Sequence, residues 1–306
     1  MRIIDMHCDV LMKLLLDPKA SFTEEHSLDV SFPSLVKGRS KLQYFAIYVP
    51  EHIPPASRFK AAVSMVYKLQ DNILSMPSIK LVVNKEDYKA LKDDEIGVIL
   101  SLEGCDCLDE DLGQLRLLQS LGVTAAGITW NYANVFADGA LEPRNGGLTL
   151  QGRKLVHYMK ETDMLLDVSH LSEAAFWDCL DLGGRLFASH SNCRSLCETT
   201  RNLYDSQIEA MIERDSLIGI TFVPQFLSEA EGATMDDIVR HIEHICSLGG
   251  EKHIGFGSDF DGIDRHVSRL SNFSCYPDLL DHLLRYYSED QVMGFASGNY
   301  ERIFLD

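Results

Sequence analysis

Residues 1–10 read MRIIDMHCDV, a short apolar run that ends in a His-x-Asp motif. Successive side chains of a strand point to opposite faces, so His7 and Asp9 share a face if this run is a strand. An imidazole and a carboxylate that converge in this way can hold a divalent metal ion. If the strand is the first of a barrel, the pair lies at its C-terminal end, where barrel active sites are built. The motif alone is weak, because many strand ends are simply solvated, so it needs further ligands at other strand ends.

Strand-like and helix-like segments alternate along the chain. About eight apolar runs of strand length are separated by segments with apolar residues at helical spacing; the clearest strands are 42–49, 95–102, 164–168 and 253–258, and the clearest helices 57–74 and 235–248. The polar stretch up to about residue 38 is expected to be a loop. No repeat, low-complexity segment or linker interrupts the pattern, so residues 1–306 are expected to form one domain. The prediction is an α/β fold, a single (β/α)8 TIM-type barrel with its active site at the C-terminal strand ends.

Composition and charge exclude several classes of partner. The 306 residues carry 28 basic and 46 acidic side chains, a formal net charge of −18. Such a charge repels phosphate groups and argues against a nucleic-acid or membrane partner. No basic run followed by an apolar core marks a signal peptide, and no run approaches the roughly 20 apolar residues of a membrane span. Eight scattered cysteines without such a signal predict reduced thiols in a cytoplasmic protein.

Some potential metal ligands lack partners at a suitable spacing. Neither Cys105-x-Cys107 nor the pair Cys193 and Cys197 has a second pair at zinc-ribbon spacing, so these thiols are predicted to lie in the core or behind a site. His241 and His244 lie three residues apart on a predicted helix. With no partner at a strand end, both are predicted to be solvated.

Polar residues that follow apolar strands form a second set of candidates. Six metal-capable residues occupy five such positions: His7, Asp9, Glu103, His170, His190 and Asp259. Barrel enzymes draw their catalytic residues from several strand ends, which makes this recurrence hard to assign to chance. The set suits two metal ions roughly 3.5–4 Å apart that share a carboxylate. Mixed imidazole and carboxylate ligands fit zinc, although manganese or cobalt would also be accepted. Asp259 is then left for proton transfer.

These residues and their surroundings resemble the renal (membrane) dipeptidase family of dinuclear zinc peptidases, which are barrels of the amidohydrolase type. The resemblance runs nearly end to end. It rests on ordered motifs at family-like spacing: DMHCD at 5–9, SLEG at 101–104, LDVSHLS at 166–172, SHS at 189–191, RN at 201–202, GSDFDG at 257–262, YPDL at 276–279 and GNY at 298–300.

The resemblance implies a role for each matching residue. His7 and Asp9 would bind one zinc ion, His170 and His190 would bind a second, and Glu103 would bridge the two. Asp259 corresponds to the catalytic acid and base of the family. Arg201 matches an arginine that grips the free carboxylate of a dipeptide, a task suited to a guanidinium fork. The family also tends to form homodimers.

One position departs from the family pattern. Trp130 stands where the resemblance places a histidine near the substrate carbonyl. Its indole N–H can donate a hydrogen bond, but the ring cannot become cationic. Substrate preference is the property that this change affects most. Trp130, Asn131 and Asn202 are therefore predicted, with Arg201, to contact the substrate.

Three functions remain open at this stage. The leading hypothesis is a zinc dipeptidase that hydrolyses short peptides, dipeptides first and L,D-dipeptides among them, with water activated by two zinc ions. A second keeps the metals and changes the substrate to another small amide such as an N-acyl amino acid, and Trp130 motivates it. A third is a barrel that binds ligand without catalysis. It is disfavoured because all five predicted ligands and Asp259 are present.

Overall fold

A closed ring of parallel strands forms the centre of the computed structural model, which describes residues 1–230 and 232–305. Within these residues there are nine strands: β1 Ile3–Asp5, β2 Ser40–Tyr48, β3 Ile79–Leu81, β4 Ile96–Glu103, β5 Val123–Gly127, β6 Leu165–Asp167, β7 Arg185–Ala188, β8 Leu217–Ile220 and β9 Ile254–Phe256. Eight close in the order β1, β2, β4, β5, β6, β7, β8, β9, with β9 paired to β1. The short β3 pairs with the start of β4 outside the ring. The predicted (β/α)8 barrel is confirmed.

Helices cover the outside of the ring. The described α-helices are α1 Val10–Leu16, α2 Phe32–Lys37, α3 Pro55–Lys68, α4 Lys85–Lys89, α5 Gly113–Ser120, α6 Leu150–Glu161, α7 Glu173–Leu182, α8 Asp205–Glu213, α9 Pro224–Leu227, α10 Met235–Ser247, α11 Tyr276–Leu283, α12 Glu289–Met293 and α13 Asn299–Phe304. A π-helical turn, Leu69–Ile73, extends α3, and another, Gly294–Gly298, joins α12 to α13. No helix in the described part of the chain is both long and apolar enough to cross a bilayer.

The expectation of a loop up to about residue 38 is wrong for its last part. Helix α2 forms there because the hydroxyl of Ser31 accepts from the backbone N–H of Ser34, while the hydroxyl of Ser34 accepts from the N–H of Ser31. This reciprocal pair satisfies two free backbone donors at the helix start. Pro33 lies in the first turn, where its missing N–H costs nothing. The helix has six residues, too few for a periodic pattern to stand out.

Side chains fill the barrel and close its lower end. One buried apolar cluster draws on most strands, with Ile4 and Met6 from the β1 region, Tyr44 from β2 and Phe187 from β7. The C-terminal helix α13 adds Tyr300, whose hydroxyl lies 2.7 Å from that of Tyr44. A larger cluster packs the opposite strand faces against the helices. This packing leaves the C-terminal strand ends as the face on which a site can open.

The prediction for His241 is wrong. Its ring is fully buried, not solvated. Nδ1 accepts from the backbone N–H of Cys193 at 3.0 Å, and Nε2 lies 3.0 Å from the carbonyl oxygen of Leu227. His241 therefore connects α10 to the loop after β7 and to the end of α9. His244, one turn further along α10, is partly exposed and contacts Asp205 at 2.8 Å.

Candidate dinuclear metal centre

The six strand-end residues meet at the C-terminal face of the barrel. Glu103 is the last residue of β4, and the other five lie two to four residues after the ends of β1, β6, β7 and β9. His170 and Asp259 both adopt a left-handed backbone conformation, with φ of 67° and 65°. This conformation is uncommon for residues other than glycine and clusters at functional sites. At these two positions it turns the chain sharply away from the strand.

The carboxylate of Glu103 lies between two groups of side chains. Its Oε2 is 3.4 Å from Nε2 of His7, while its Oε1 is 2.9 Å from Nε2 of His170 and 3.7 Å from Nε2 of His190. His7 also lies 3.5 Å from a carboxylate oxygen of Asp9 and 3.8 Å from one of Asp259. Glu103 thus presents one oxygen to each group, the arrangement that a shared carboxylate needs.

Two of the histidines have their Nδ1 atoms held by hydrogen bonds. Nδ1 of His170 lies 2.9 Å from the side-chain oxygen of Asn131, and Nδ1 of His190 lies 2.6 Å from the hydroxyl of Ser189. Metal-binding histidines usually donate their second ring N–H to such a partner, which fixes the ring and its tautomer. In both residues this leaves Nε2 directed at Glu103.

The atoms that face the centre lack partners of their own. Nε2 of His7 and one carboxylate oxygen of Asp9 are buried and have no hydrogen-bond partner among the described residues. Nε2 of His170 and Nε2 of His190 are 2.8 Å apart, so without a cation between them one of the two rings must carry a proton on Nε2 and donate it to the other. Buried polar groups are nearly always satisfied, so these exceptions require an explanation. A cation between the side chains supplies one, and the donor set suits a divalent metal.

The pKa values of the site reflect burial and crowded charge. Burial lowers the pKa of His170 to about 3, and the nearby Arg201 acts in the same direction. Burial opposes protonation of His7, yet its pKa is raised well above the usual value because Glu103 and Asp9 outweigh that effect. Burial, together with Asp9 and Glu103, raises the pKa of Asp259 well above its usual value. Three carboxylates in one buried cluster favour any cation that can lie among them.

Gly262 determines how closely two of these carboxylates approach the turn after β9. A Cβ atom at this position would lie 2.2 Å from a carboxylate oxygen of Asp9 and 2.7 Å from one of Asp259. No side chain fits there unless both carboxylates move. The sequence motif included Gly262, but its contact with the site could not be read from the chain.

A cavity of about 180 Å³ opens over the cluster. It is far smaller than the ~300–1,000 Å³ typical of pockets for drug-sized ligands, which favours a small substrate. Acidic and imidazole groups line one part of it, and apolar side chains line the rest: Met12, Val223, Phe226 and Ile263. The rings of Tyr48 and Trp130, with centroids 5.1 Å apart, complete the wall.

Arg201 lies at the edge of this cavity and is only 5% exposed. One terminal nitrogen of its guanidinium donates to the carbonyl oxygen of His190 at 3.4 Å, and its Nε has no partner among the residues described. Burial lowers its pKa to about 10, against the pull of Asp259 and Glu103. A buried cation with a free donor can receive an anionic group of a ligand.

The other predicted substrate contacts lie at different distances from the cavity. Trp130 and Asn131 line it directly, and the Trp130 ring centroid is 6.1 Å from that of His170. Asn131 also holds His170, a use that the sequence did not indicate. The amide nitrogen of Asn202 donates to the carbonyl oxygens of Cys197 and Phe226, so this part of its side chain fixes the loop that carries Arg201. The contacts of these residues with substrate stay predictions.

Two buried aspartates that sequence reasoning missed support the site from below. At the end of β6, one oxygen of Asp167 accepts from the backbone N–H groups of Ser169 and Ser189, and the other accepts from the Ser189 hydroxyl at 2.5 Å. At the end of β1, Asp5 accepts in the same way from the N–H of His7 and from the N–H and hydroxyl of Ser258. We call each arrangement an aspartate–serine clamp. Each joins two neighbouring strands directly beneath predicted ligands.

Comparisons with known proteins agree with this geometry. The sequence model described as membrane dipeptidase (peptidase family M19) matches residues 1–306. Dipeptidase aclJ of Aspergillus oryzae is 30% identical over 94% of this chain and 72% of its own length, and dipeptidase 3 of Rattus norvegicus is 26% identical over 99% and 64%. This chain therefore spans about two thirds of the length of these relatives.

Solved structures give the same result. A metallo peptidase from Rhodobacter sphaeroides, liganded with a phosphinate mimic of the dipeptide L-Ala-D-Ala, superposes with a TM-score of 0.93 at 25% identity, covering 99% of this chain and 98% of that one. The metallo peptidase dipeptidase AC superposes with a TM-score of 0.93 at 26% identity, covering 100% and 99%. The match to the family model over the whole chain and the aclJ alignment confirm the resemblance seen in the sequence. The chain belongs to the membrane dipeptidase family, peptidase family M19, and is a metallopeptidase of the dipeptidase type.

Proposed function

We propose that this protein is a dinuclear zinc dipeptidase that cleaves dipeptides with a free C-terminal carboxylate, L,D-dipeptides among them. His7 and Asp9 hold one zinc ion, His170 and His190 hold the other, and Glu103 bridges them. The observation that carries this proposal is the placement of Glu103, whose two oxygens face the two groups of ligands separately. The unpartnered Nε2 of His7 supports it.

Each residue then has a chemical task. When bound, the two zinc ions activate a water molecule and polarise the scissile carbonyl group. Asp259 exchanges protons with the attacking water and the departing amine, and its raised pKa suits a group that must carry a proton at one stage. The small cavity and its apolar wall limit the access of bulk water during this transfer.

Arg201 is the proposed carboxylate clamp. Its buried guanidinium lines the cavity beside His170 and keeps a free donor. An incoming carboxylate supplies the partner that this donor lacks, and the planar fork orients it. Such an interaction selects substrates that end in a free carboxylate. The dipeptide mimic bound by the Rhodobacter protein is a ligand of this kind, which supports extending the idea to this chain.

A second candidate keeps the metal centre and changes the substrate to an N-acyl amino acid. Trp130 favours it because its indole lines the cavity and, with the neighbouring ring of Tyr48, offers a flat apolar surface to an acyl chain. An N-acyl amino acid would still present a carboxylate to Arg201. The two candidates therefore differ only at the other end of the substrate.

The test combines metal analysis with a substrate panel. The purified protein is assayed for zinc per chain, and then for hydrolysis of matched L,L-dipeptides, L,D-dipeptides and N-acyl amino acids. Two tightly held zinc ions with dipeptide turnover are the expected result. Two zinc ions with turnover of N-acyl amino acids alone would favour the second candidate. A protein that holds no metal after reconstitution would contradict both.

A further inference from the structure

We propose that Asp167 and Ser189 form a hydrogen-bond relay that fixes the proton of His190 on Nδ1, so that Nε2 is kept free to bind a metal ion. Both are positioning residues in this proposal. It rests on the proposed metal role of His190 and adds a tautomer-setting function for two residues behind it. The relay runs through the aspartate–serine clamp at the ends of β6 and β7.

The contacts fix the direction of each hydrogen bond. Asp167 accepts from the backbone N–H groups of Ser169 and Ser189 at 3.0 and 2.9 Å, so its carboxylate is anchored on the backbone. Its second oxygen lies 2.5 Å from the Ser189 hydroxyl. An ionised carboxylate can only accept, so the hydroxyl must donate to Asp167. The lone pairs of the same hydroxyl then face Nδ1 of His190 at 2.6 Å.

The direction of this chain decides which nitrogen of His190 carries the proton. Because the Ser189 hydroxyl donates its proton to Asp167, it can only accept from the ring, and Nδ1 must carry the hydrogen. A neutral imidazole has one N–H, so Nε2 is left with a lone pair directed at Glu103, 3.7 Å away. This tautomer is the one that binds metal through Nε2. His190 is 1% exposed, which leaves little room for water to compete.

The second clamp provides an internal comparison. Asp5 makes the same three contacts as Asp167, and the Ser258 hydroxyl donates to it at 2.6 Å. That hydroxyl also lies 3.1 Å from the carbonyl oxygen of His7 and accepts from the backbone N–H of Phe260 at 3.3 Å, and neither partner is a ring nitrogen. The two clamps therefore differ in one respect: only the hydroxyl of the Asp167 clamp contacts an imidazole. The same substitution in both clamps isolates the effect of that contact.

The matched variants are Asp167→Asn and Asp5→Asn. In either variant the amide oxygen can keep the backbone hydrogen bonds, while the new NH₂ group donates to the serine hydroxyl. In Asp167→Asn the Ser189 hydroxyl loses its carboxylate acceptor, and Nδ1 of His190 at 2.6 Å is closer than its other neighbour, the Ser169 hydroxyl at 3.4 Å, so we expect it to donate to Nδ1 and the ring proton to move to Nε2. In Asp5→Asn the Ser258 hydroxyl can turn to the His7 carbonyl oxygen instead. Both variants replace a buried carboxyl group with an amide of the same shape, so packing alone does not separate them.

Two measurements, zinc affinity and the tautomer of His190, test the proposal. Competition with a chromophoric chelator gives zinc affinity, and the ¹⁵N shifts of histidine-labelled, metal-free protein report the tautomer. We expect Asp167→Asn to lower the affinity for one zinc ion by roughly 10–100-fold relative to Asp5→Asn, as loss of such supporting contacts typically does. The His190 tautomer should change only in Asp167→Asn. Ser189→Thr, which keeps the hydroxyl, should retain wild-type affinity, whereas Ser189→Ala should not.

Three results would overturn the relay. Equal zinc affinities in the two asparagine variants would show that the clamps act only through charge or packing. An unchanged His190 tautomer in a folded Asp167→Asn protein would show that Asp167 does not set the proton. If the wild-type protein itself binds no zinc, the proposed metal role of His190 fails first, and the relay falls with it.

Discussion

The two strand pairs that carry most of the site share the same supporting hydrogen bonds but present different functional side chains. An aspartate–serine clamp fixes β1 to β9 and another fixes β6 to β7, with the same set of contacts in each. The β1/β9 half then presents one imidazole and two carboxylates, those of His7, Asp9 and Asp259. The β6/β7 half presents two imidazoles, His170 and His190, with Arg201 beside them.

This difference separates charge across the centre. The β1/β9 half is acidic and contains Asp259, the proposed proton-transfer group. The β6/β7 half has uncharged rings and a buried cation, and it can therefore receive an anionic part of the substrate. The same aspartate–serine clamp thus supports two kinds of chemistry, because it fixes the strand ends and does not constrain which side chains follow them. Glu103 joins the halves.

Removal of Glu103 should have the largest effect, because it breaks both halves at once. Glu103→Ala takes away the only carboxylate that faces His7 on one side and His170 on the other. We expect loss of both zinc ions and of measurable dipeptide turnover. Elemental analysis after dialysis and a dipeptide assay would test this. Glu103→Asp is the paired variant, and a Glu103→Ala protein that keeps both metals would exclude the bridging role.

Asp259→Asn should lower the activity of the β1/β9 half without loss of its metal ion. The amide keeps the shape of the carboxylate but cannot exchange a proton, so kcat should fall by roughly 10²–10⁴-fold, the usual contribution of a general acid or base. Zinc content should stay that of the wild type because Asp259 is not among the proposed ligands. The measurement is kcat together with metal analysis of the same sample. A drop in activity that simply follows lost zinc would assign Asp259 to metal binding instead.

Gly262→Ala should lower activity because it displaces carboxylates of the β1/β9 half. The added Cβ would meet the carboxylates of Asp9 and Asp259 at 2.2 and 2.7 Å, and misplacement of reacting groups by about 1 Å can cost about 10²-fold in rate. The matched control is Gly298→Ala, whose Cβ meets nothing closer than 3.5 Å. Steady-state kinetics of both variants would show the difference. Equal rates would mean that the carboxylates can move aside without consequence.

Arg201→Lys should have the smallest of these effects and should be specific to the β6/β7 half. Lysine keeps the charge but loses the planar fork, so kcat/KM for a dipeptide with a free carboxylate should fall by roughly tenfold, about 1.4 kcal/mol. A dipeptide capped as its C-terminal amide should be turned over equally by both proteins. The same loss with both substrates would argue that Arg201 supports the fold of the site and does not grip the carboxylate.

The ligand candidates could be predicted from the sequence because each follows an apolar run that marks a strand. His7 and Asp9 illustrate the rule, although β1 ends at Asp5: both follow the strand directly, and the barrel geometry places the C-terminal strand ends in the site. The clamps could not be predicted in the same way. Asp167 and Ser189 are 22 residues apart and Asp5 and Ser258 are 253 apart, so their pairing depends on which strands become neighbours.

The errors have the same physical origin. His241 is buried because its partners come from Cys193 in the loop after β7 and from Leu227 at the end of α9, and the periodicity of α10 carries no information about either contact. The hydrogen bond of Asn131 to the ring of His170 could not be read from the sequence either, while its contact with substrate stays a prediction. Contacts between distant segments decide both cases.

The pairing of β1 with β9 has a consequence for the order of events in folding. The hydrogen bonds between Asp5 and Ser258 close a span of 253 residues, and closure of so long a loop is slow compared with local contacts. During synthesis, the segment with His7 and Asp9 emerges long before β9 exists. A chain that is still growing therefore cannot assemble the complete centre. The β1/β9 half of the proposed centre therefore forms last, so occupancy of its metal position would mark closure of the ring.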